Sequence, residues 1–142
     1  MKFVNHLLDA KGRQIVSIAP TASVFDAIKL MADKGVGSLV VMEDEALLGI
    51  ITERDYARKV ILKGRSSEST PVTEIMTADV LTTSGSETVN ACMELMTEKR
   101  IRHLPVAEDN RVIGMISIGD LVQAIIADQQ EEIEQLENYI SG

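Results

Sequence analysis

Aromatic and cysteine residues are scarce in this chain of 142 residues, and their scarcity excludes several classes of protein. Only 3% of the residues are aromatic and none is tryptophan, so the stacking platforms that bind single-stranded nucleic acid are not expected. A single cysteine, Cys92, excludes a disulfide framework and a cysteine-rich metal site. Hydrophobic runs are short as well. A run such as residues 46–51 is far shorter than the roughly 20 apolar residues that a helix needs to span a bilayer.

Positive charge is also in deficit, because 14 lysines and arginines face 22 acidic residues and the net charge is −8. Affinity for a nucleic-acid backbone requires a surplus of cations, so DNA or RNA binding is disfavoured. A local basic pocket for one small anion stays compatible with this balance, since net charge does not fix local potential. The first nine residues lack the apolar core of a signal peptide and the arginines of a transit peptide, and we expect a cytoplasmic location.

An internal repeat organises the chain. Residues 15–64 align without gaps on residues 80–129, and 12 of these 50 positions are identical, where chance gives roughly three. Each copy has the order β-α-β-β-α, with short apolar strand segments and one helix of clear 3.6-residue periodicity. A unit of about 60 residues buries a marginal core. We therefore predict an α+β fold in which two tandem β-α-β-β-α repeats pack around a pseudo-two-fold axis.

Spacing, capping and turn signals place the predicted elements and the boundaries between them. In the first copy we expect strands at 15–18, 39–42 and 47–52, with helices at 24–34 and 54–62. In the second copy we expect strands at 80–83, 104–107 and 112–117, with helices at 88–99 and from 120 onward. The predicted domains are a first repeat with its lead-in (1–64), a linker (65–71), a second repeat (72–129) and a C-terminal helical extension (130–142).

A hydroxyl residue precedes an aspartate by three positions at the same point of each repeat, as Thr52 and Asp55 and as Ser117 and Asp120. Residues three apart at the start of a helix share one face. A carboxylate there can accept both hydroxyls of a ribose, and the hydroxyl can reach a phosphate oxygen. The same pattern also caps a helix. Capping alone is favoured for one isolated occurrence, and the two roles are compatible.

The segments Gly49–Asp55 and Gly114–Asp120 resemble the Gly-x-x-[Thr/Ser]-x-x-Asp signature of cystathionine-β-synthase (CBS) domains. Residues 75–77 and 100–106 also match patterns of that family, so the likeness covers nearly the whole chain. It is most similar to stand-alone proteins with a single CBS pair. The resemblance implies a regulatory module, expected to be a homodimer, that binds an adenosine nucleotide such as AMP, ADP, ATP or NAD(H) in clefts between its units and modulates a partner protein. It also favours a ligand role for the repeated Thr/Ser–Asp pairs.

The resemblance further implies which residues contact the nucleotide. The aspartates of the two signatures would bind the ribose, and the signature hydroxyls would approach the phosphates. Arg102 and His103 either face the phosphates or form only a surface-charge cluster at a helix end, and Gly37 and Ser38 would offer backbone approach to the other nucleotide. The polar residues of the two first strands, Ser17 and Thr82, can hydrogen-bond the adenine. Arg54 either neutralises a phosphate or is a solvated helix residue. The candidate ligand-binding residues are Ser17, Gly37, Ser38, Thr52, Arg54, Asp55, Thr82, Arg102, His103, Ser117 and Asp120.

Catalytic and metal-ligating constellations are not visible, and we predict neither an enzyme nor a metal site. The histidines, His6 and His103, are not placed beside a nucleophile, and Cys92 lies on an apolar helix face, as core cysteines do.

The C-terminal stretch from 120 to 140 combines an acidic face with an apolar stripe of Leu121, Ile125, Ile133, Leu136 and Ile140. It is either a solvated helix overhang or a docking helix. The alternative function is therefore a structural or interaction module that acts through dimerisation and this acidic helix, with vestigial ligand clefts.

Overall fold

A computed structural model describes residues 2–141, and the described part is a mixture of helices and small sheets. The α-helices are α1 (Val4–Lys11), α2 (Val24–Lys34), α3 (Glu53–Tyr56), α4 (Val89–Lys99) and α5 (Ile118–Ser141). The strands are β1 (Ser17–Ile18), β2 (Ser38–Glu43), β3 (Ala46–Thr52), β4 (His103–Glu108) and β5 (Arg111–Ser117). A π-helical turn at Ala57–Ile61 continues α3, and a 3-10 turn forms at Val72–Glu74. The predicted α+β fold class is confirmed.

The two long repeat helices, α2 and α4, begin and end at equivalent positions because the same local interactions define them. Ser23 and Thr88 are their N-caps, and each side-chain oxygen accepts a hydrogen bond of 3.1 Å from the backbone N–H three residues later. Gly35 and Arg100 follow the last helical residue in the left-handed region, at φ 65° and φ 56°. The helix predicted at 24–34 is confirmed, and the helix predicted at 88–99 begins one residue later, at Val89, because Thr88 is its N-cap.

The first repeat forms a three-stranded sheet in the order β1-β2-β3. β1 is parallel to β2, with Ser17 opposite Val40, and β2 is antiparallel to β3, with Ser38 opposite Thr52. The second repeat forms the two-stranded sheet β4-β5. The turn between β4 and β5 has positive φ at both Asp109 and Asn110, as in the primed turns whose twist matches that of the flanking strands.

The prediction of a strand at 80–83 is wrong. This segment forms only a single parallel bridge, between Thr83 and Val106. The reason lies in the partner strand. In the first repeat the Val40 N–H donates to the Val16 carbonyl over 3.2 Å. The equivalent of Val40 is Pro105, which has no N–H to donate. The remaining bonds are Thr83 N–H to the Pro105 carbonyl (3.0 Å) and Ala107 N–H to the Thr83 carbonyl (2.8 Å), and they hold one residue only.

Two compact units divide the chain, and they do not follow the order of the sequence repeats. The first-repeat unit comprises Gln14–Leu81 with Asp109–Ile113. The second-repeat unit comprises the described residues of Met1–Arg13, Thr82–Glu108 and Gly114–Gly142. The segment that precedes each repeat, which we call its lead-in, therefore belongs to the unit of the other repeat. α1, the lead-in of the first repeat, lies in the second-repeat unit, and the 3-10 turn, the lead-in of the second repeat, lies in the first-repeat unit. The predicted boundaries at 64 and 72 describe repeats in the sequence, whereas the units group residues by contact.

Each unit has its own apolar core. In the first-repeat unit, buried residues of α2, β2 and β3 pack with the π-helical turn and the 3-10 turn; they are Val24, Ala27, Met31, Leu39, Val41, Ile51, Val60, Val72 and Ile75. In the second-repeat unit the buried side chains include Val4, Leu8, Val89, Cys92, Met96, Leu104, Val106, Ile116 and Leu121. Burial of two α1 residues anchors the N-terminal lead-in in the second-repeat unit.

The segment predicted as a linker is tied to the first-repeat unit by its backbone. The Val24 and Phe25 N–H groups at the start of α2 donate to the carbonyls of Thr70 (2.8 Å) and Ser67 (2.9 Å). The Thr70 hydroxyl donates to the Ser66 carbonyl, and the Thr70 residue is only 3% exposed. These bonds satisfy N–H groups that a helix start leaves without partners.

Among the described residues, no helix combines the length and the apolar character needed to cross a membrane.

Candidate functional site

The junction between β3 and α3 holds Thr52 and Asp55 in a closed set of hydrogen bonds. Asp55 Oδ2 accepts from the Thr52 backbone N–H at 3.0 Å and from the Thr52 hydroxyl at 3.1 Å. The Asp55 N–H in turn donates to Thr52 Oγ1 at 3.1 Å. This reciprocal pattern is a capping box. The capping role that the sequence allowed is therefore realised, and it fixes the carboxylate at the start of the helix.

A lysine contacts the other oxygen of the same carboxylate. Lys59 Nζ lies 3.2 Å from Asp55 Oδ1, one helical turn away, and also donates to the Ile75 carbonyl at 2.9 Å. The Asp55 side chain is 14% exposed and that of Lys59 is 44% exposed. Asp55 is thus a mostly buried carboxylate, and a partly exposed lysine contacts the oxygen that capping does not use. That oxygen is the one that can accept hydroxyl groups from a ligand.

The backbone brings Gly37 and Ser38 to this junction. The Glu53 N–H, the first of α3, donates to the Gly37 carbonyl over 3.2 Å. Ser38 stands opposite Thr52 in the β2–β3 ladder and is 6% exposed. Four of the predicted site residues, Gly37, Ser38, Thr52 and Asp55, therefore share one end of the sheet. Arg54 is exposed on the first turn of α3 beside them.

The junction between β5 and α5 repeats this arrangement in the second-repeat unit. Asp120 Oδ2 accepts from the Ser117 N–H at 2.8 Å, and the Asp120 N–H donates to Ser117 Oγ at 3.1 Å. The Ile118 N–H donates to the Arg102 carbonyl at 2.9 Å, the same bond as that between Glu53 and Gly37. Arg102 and His103 are brought beside Ser117 and Asp120 in this way, with Arg102 exposed and His103 half-buried.

Lys11, at the end of α1, supplies the cation at the second junction. Its Nζ lies 2.6 Å from Asp120 Oδ2 and donates to the Met115 carbonyl at 2.9 Å. Burial of Asp120 by itself raises the pKa of the carboxyl group. The hydrogen bond and charge of Lys11, together with the bonds from Ser117, outweigh burial and bring the pKa of Asp120 below its ordinary value. Asp120 is therefore ionised at neutral pH.

The two lysines are the site residues that sequence reasoning missed. Lys59 carried a signal, because it lies four residues after Asp55 and such pairs meet on one helix face. Lys11 carried none, because 109 positions separate it from Asp120 and only the fold of α1 onto the second-repeat unit brings it there. Their equivalents in the other copy are not lysines, so the two junctions differ in the origin of their cation.

The predicted adenine-binding residues, Ser17 and Thr82, are both exposed, Ser17 in β1 and Thr82 just before the Thr83 bridge. Thr82 opens onto a cavity of about 490 Å³ within the second-repeat unit. The cavity is lined by Thr82, Thr83, Ser84, Glu87, Ala91, Cys92, Leu95 and Ala107. Its walls combine hydroxyl groups and the Glu87 carboxylate with apolar side chains.

Cys92 is a wall residue of this cavity and is 1% exposed. Burial raises the pKa of its thiol, the hydrogen bond with the Thr83 hydroxyl at 3.4 Å lowers it in part, and the Glu87 charge adds to the increase. A neutral buried thiol is a poor nucleophile, which agrees with the core role predicted for Cys92. Across residues 2–141, the structure has no cluster of three or more His, Cys, Asp or Glu side chains able to hold a metal ion.

The glycines that open the two signatures serve packing of the lead-ins. A Cβ added at Gly49 would lie 2.6 Å from Met76 Sδ and 2.9 Å from the Thr77 carbonyl oxygen. Thr77 bridges to Ile50 through two backbone hydrogen bonds of 3.0 and 2.9 Å. At Gly114 the added Cβ would lie 2.6 Å from Leu8 Cδ2. The signature thus joins two requirements: close approach of a lead-in at the glycine, and a capped carboxylate six residues later.

Comparisons with known proteins agree with this geometry. The family model of the CBS domain matches residues 9–62 and 72–127 of the chain. The CBS domain-containing protein CBSX3, mitochondrial, of Arabidopsis thaliana is 50% identical over 125 residues. That alignment covers 84% of this chain and 61% of CBSX3, so the chain spans about three fifths of that relative.

Solved structures show the same fold. A protein with CBS domains from Burkholderia ambifaria MC40-6 is 53% identical, with a TM-score of 0.87 over 90% of this chain and 96% of that one. The CBS domain pair of protein MJ0100, solved with 5'-methylthioadenosine and S-adenosyl-L-methionine, is 25% identical, with a TM-score of 0.78 over 87% and 99% of the two chains. A hexameric CBS-CP12 protein from bloom-forming cyanobacteria is 29% identical, with a TM-score of 0.76 over 86% and 70%. The comparisons indicate no catalytic family. The chain belongs to the CBS domain family and consists of two tandem CBS domains that form one CBS pair.

Proposed function

We propose that this CBS pair is a regulatory module that binds an adenosine nucleotide, AMP, ADP, ATP or NAD(H), and passes its level to a partner protein without itself catalysing a reaction. The observation that carries the proposal is the repeated junction. In both units a hydroxyl group and a carboxylate form a helix cap. A backbone hydrogen bond from the first residue of that helix brings the cap beside Gly37 in one unit and Arg102 in the other. The ligands named for the MJ0100 pair, both adenosine derivatives, support the same chemistry here.

The charges at the two junctions suit a nucleotide with a ribose and phosphates. One oxygen of Asp55 is used by capping, and the other faces Lys59, an exposed cation that can turn toward solvent. A ribose that donates two hydroxyl hydrogen bonds replaces this cation at the carboxylate. The freed lysine and the exposed Arg54 then offer positive charge to the phosphates. At the second junction Lys11, Arg102 and His103 supply the corresponding groups.

Thermal melting with nucleotides tests the proposal. A ligand present at 100 times its dissociation constant adds about 2.7 kcal/mol to the free energy of unfolding, so AMP, ADP, ATP or NAD(H) at millimolar concentration should raise the melting temperature. Asp55→Asn and Asp120→Asn remove one carboxylate charge each while keeping the size of the side chain, and each should weaken one of two binding events measured by calorimetry. Asp33→Asn, on the exposed side of α2, is the matched control and should bind as the unaltered chain does.

Two results would contradict the proposal. The first is the absence of any melting shift with every adenosine compound, which would leave no nucleotide ligand. The second is nucleotide binding that neither Asp55→Asn nor Asp120→Asn weakens. In that case the ribose role of both aspartates would be removed, and their function would be helix capping alone.

The alternative function is an interaction module with vestigial nucleotide sites, and α5 is the observation that favours it. This helix of 24 residues continues beyond the family match, which ends at residue 127, and it exposes large apolar side chains there. Deletion of residues 130–142 separates the two functions. Loss of a partner or of self-association with unchanged nucleotide binding supports the interaction module as a second activity. Loss of nucleotide binding instead would mean that the C-terminal extension contributes to the proposed regulatory function.

We also propose that the chain forms a homodimer, and the exposed apolar end of the first repeat supports this. Ile61 is 57% exposed and Leu62 is 77% exposed, next to one another at the end of the π-helical turn. Ile61→Glu is expected to convert the dimer to monomer in sedimentation velocity, because a charge in an apolar interface is costly to bury. The regulated partner protein and the cytoplasmic location stay predictions.

A further inference from the structure

The exposed apolar residues of α5 follow a heptad repeat. Three isoleucines recur at intervals of seven, and a second set interleaves with them at spacings of three and four. We name this set the seam; its members are Val122, Ile126, Gln129, Ile133, Leu136 and Ile140. The first set, Ile126, Ile133 and Ile140, takes the a positions of a coiled coil, and the second set takes the d positions. A β-branched residue at a with Leu at d, as at Ile133 and Leu136, favours pairing of two helices.

The seam is not the face by which α5 packs in its own unit. Leu121 and Ala124 are the buried residues of the helix, and α5 contacts α4 and α1 through that part. Seam residues are exposed to 53% at Ile133, 61% at Leu136 and 82% at Ile140. At about 100° per residue, the seam is centred roughly a third of a turn from the midpoint of Leu121 and Ala124. Of the predicted stripe, Leu121 belongs to the buried face, and the half-buried Ile125 lies between that face and the seam.

Acidic residues flank the seam on both sides. In the heptad, Glu132 takes a g position and Glu137 an e position, the places that face the flanks of a partner helix. Glu131 and Glu134 lie on the far side of the helix. Residues 118–142 contain no lysine, arginine or histidine, so nothing in the helix offsets these carboxylates.

This charge pattern selects the partner. In a parallel pair of two copies, Glu132 of each helix would lie beside Glu137 of the other, and in either direction the two helices would bring only negative charge together. Like charges across e and g positions oppose pairing, whereas opposite charges favour it. A second copy is thus opposed by its charge, and a basic helix is complementary.

We propose that the seam of α5 docks an amphipathic helix of a partner protein that carries Ile or Leu along its own seam and Lys or Arg at the flanking positions. The partner helix covers Ile133, Leu136 and Ile140 with apolar side chains, and its cations pair with Glu132 and Glu137. Residues 130–141 span about 18 Å as a helix, long enough for three turns of the partner. The docking does not depend on nucleotide binding, so either can fail alone.

The test uses two synthetic helical peptides of three heptads, both with Ile at a and Leu at d. The first carries Lys at every e and g position and the second carries Glu there. Fluorescence anisotropy with the full chain at about 50 mM NaCl should show the Lys peptide binding at least tenfold more tightly than the Glu peptide. Ile133→Asn combined with Leu136→Asn should weaken binding of the Lys peptide by more than tenfold.

Charge exchange provides the matched control. Glu132→Lys with Glu137→Lys should reverse the preference between the two peptides, while Glu131→Lys with Glu134→Lys makes the same change of charge on the far side and should preserve it. Equal binding of both peptides, or equal effects of the two charge exchanges, would reduce the docking to general attraction and overturn the proposal. Loss of self-association in Ile133→Asn, measured by sedimentation, would make a second copy the occupant and overturn it as well.

Discussion

Among single residues, Lys11 determines the charge state of Asp120. Their contact of 2.6 Å contributes to the lowered pKa of the carboxyl group, against the effect of burial. A carboxyl group whose pKa is lowered by folding stabilises the folded state above its unfolded pKa of about 3.9. That contribution is lost as the pH falls through the lower folded pKa. The ion pair therefore acts at neutral pH and disappears only in acid.

Lys11→Met should raise the pKa of Asp120, because only the hydrogen bonds from Ser117 then oppose the increase that burial causes. Titration of the Asp120 carboxyl carbon by NMR measures the shift, and acid unfolding of the variant should begin at a higher pH. Lys59→Met, which removes the lysine of the other junction, should leave the Asp120 titration unchanged. An unaltered midpoint in Lys11→Met would show that Lys11 does not hold the carboxylate.

Arg100 occupies a left-handed backbone position that its equivalent in the first repeat fills with glycine. Its φ of 56° and ψ of 42° match those of Gly35, at 65° and 35°. Residues with a Cβ are disfavoured there by about 1–2 kcal/mol, while glycine gains entropy in the unfolded chain. Arg100→Gly should therefore stabilise the protein by about 0.5–1 kcal/mol in urea unfolding.

Gly35→Arg is the reciprocal control for this prediction and should destabilise by a similar amount. The two positions end helices of equal length at equivalent places in the two repeats, so the comparison tests the backbone conformation. A loss of stability in Arg100→Gly would mean that the arginine side chain makes a contribution larger than the conformational strain.

At the scale of elements, α1 is a component of the second-repeat unit. Val4 and Leu8 are fully buried, and the backbone of the lead-in bonds to that unit through Val4 N–H to the Glu87 carbonyl and Asn5 N–H to the Gly85 carbonyl, both at 2.9 Å. Leu8 also fills the space above Gly114. An element at the start of the chain thus stabilises residues that lie about a hundred positions later.

Leu8→Ala should destabilise the protein by about 3 kcal/mol, the usual effect of a cavity left by a fully buried leucine. Hydrogen exchange followed by mass spectrometry should show faster exchange in β4 and α5, which belong to the same unit, than in β2 and β3. Val72→Ala, in the other lead-in, is the matched control and should favour exchange in β2 and β3. Faster exchange in β2 and β3 for both variants would contradict the exchange of lead-ins.

The sequence predicted most elements because their boundaries depend on local interactions. Caps at Ser23 and Thr88 and the apolar spacing between them were sufficient for α2 and α4. The absence of a strand at 80–83 could have been predicted from the sequence, because Pro105 removes a hydrogen-bond donor from the partner strand. Membership of α1 in the second-repeat unit and the position of Lys11 could not, because both arise from contacts between distant segments. The aspartates of the candidate site were predicted from their repeated spacing, whereas neither lysine was, although the position of Lys59 four residues after Asp55 carried a signal.

At the scale of the whole molecule, the two repeats form junctions that share two capping hydrogen bonds and differ in their cation. The first pairs Asp55 with Lys59 from its own helix, and the second pairs Asp120 with Lys11 from α1. Arg54 in the first copy corresponds to Gly119 in the second. Because the cation at the second junction comes from a separate element, displacement of Lys11 by a ligand would act on α1 as well. We therefore expect the two sites to differ in affinity and in their effect on the fold.

The net charge of −8 predicts how salt changes the stability of the whole chain. Exposed ion pairs such as Arg13 with Asp9, at 2.8 Å, contribute at most about 1 kcal/mol each, whereas surplus negative charge repels throughout the compact state. Raising NaCl from about 20 mM to about 200 mM shortens the Debye length from roughly 20 Å to roughly 7 Å and should raise the melting temperature by about 2–4 °C. Glu131→Gln with Glu134→Gln removes two of the surplus charges from the exposed face of α5 and should reduce that increase. A melting temperature that falls with salt would mean that attraction within ion pairs exceeds the repulsion.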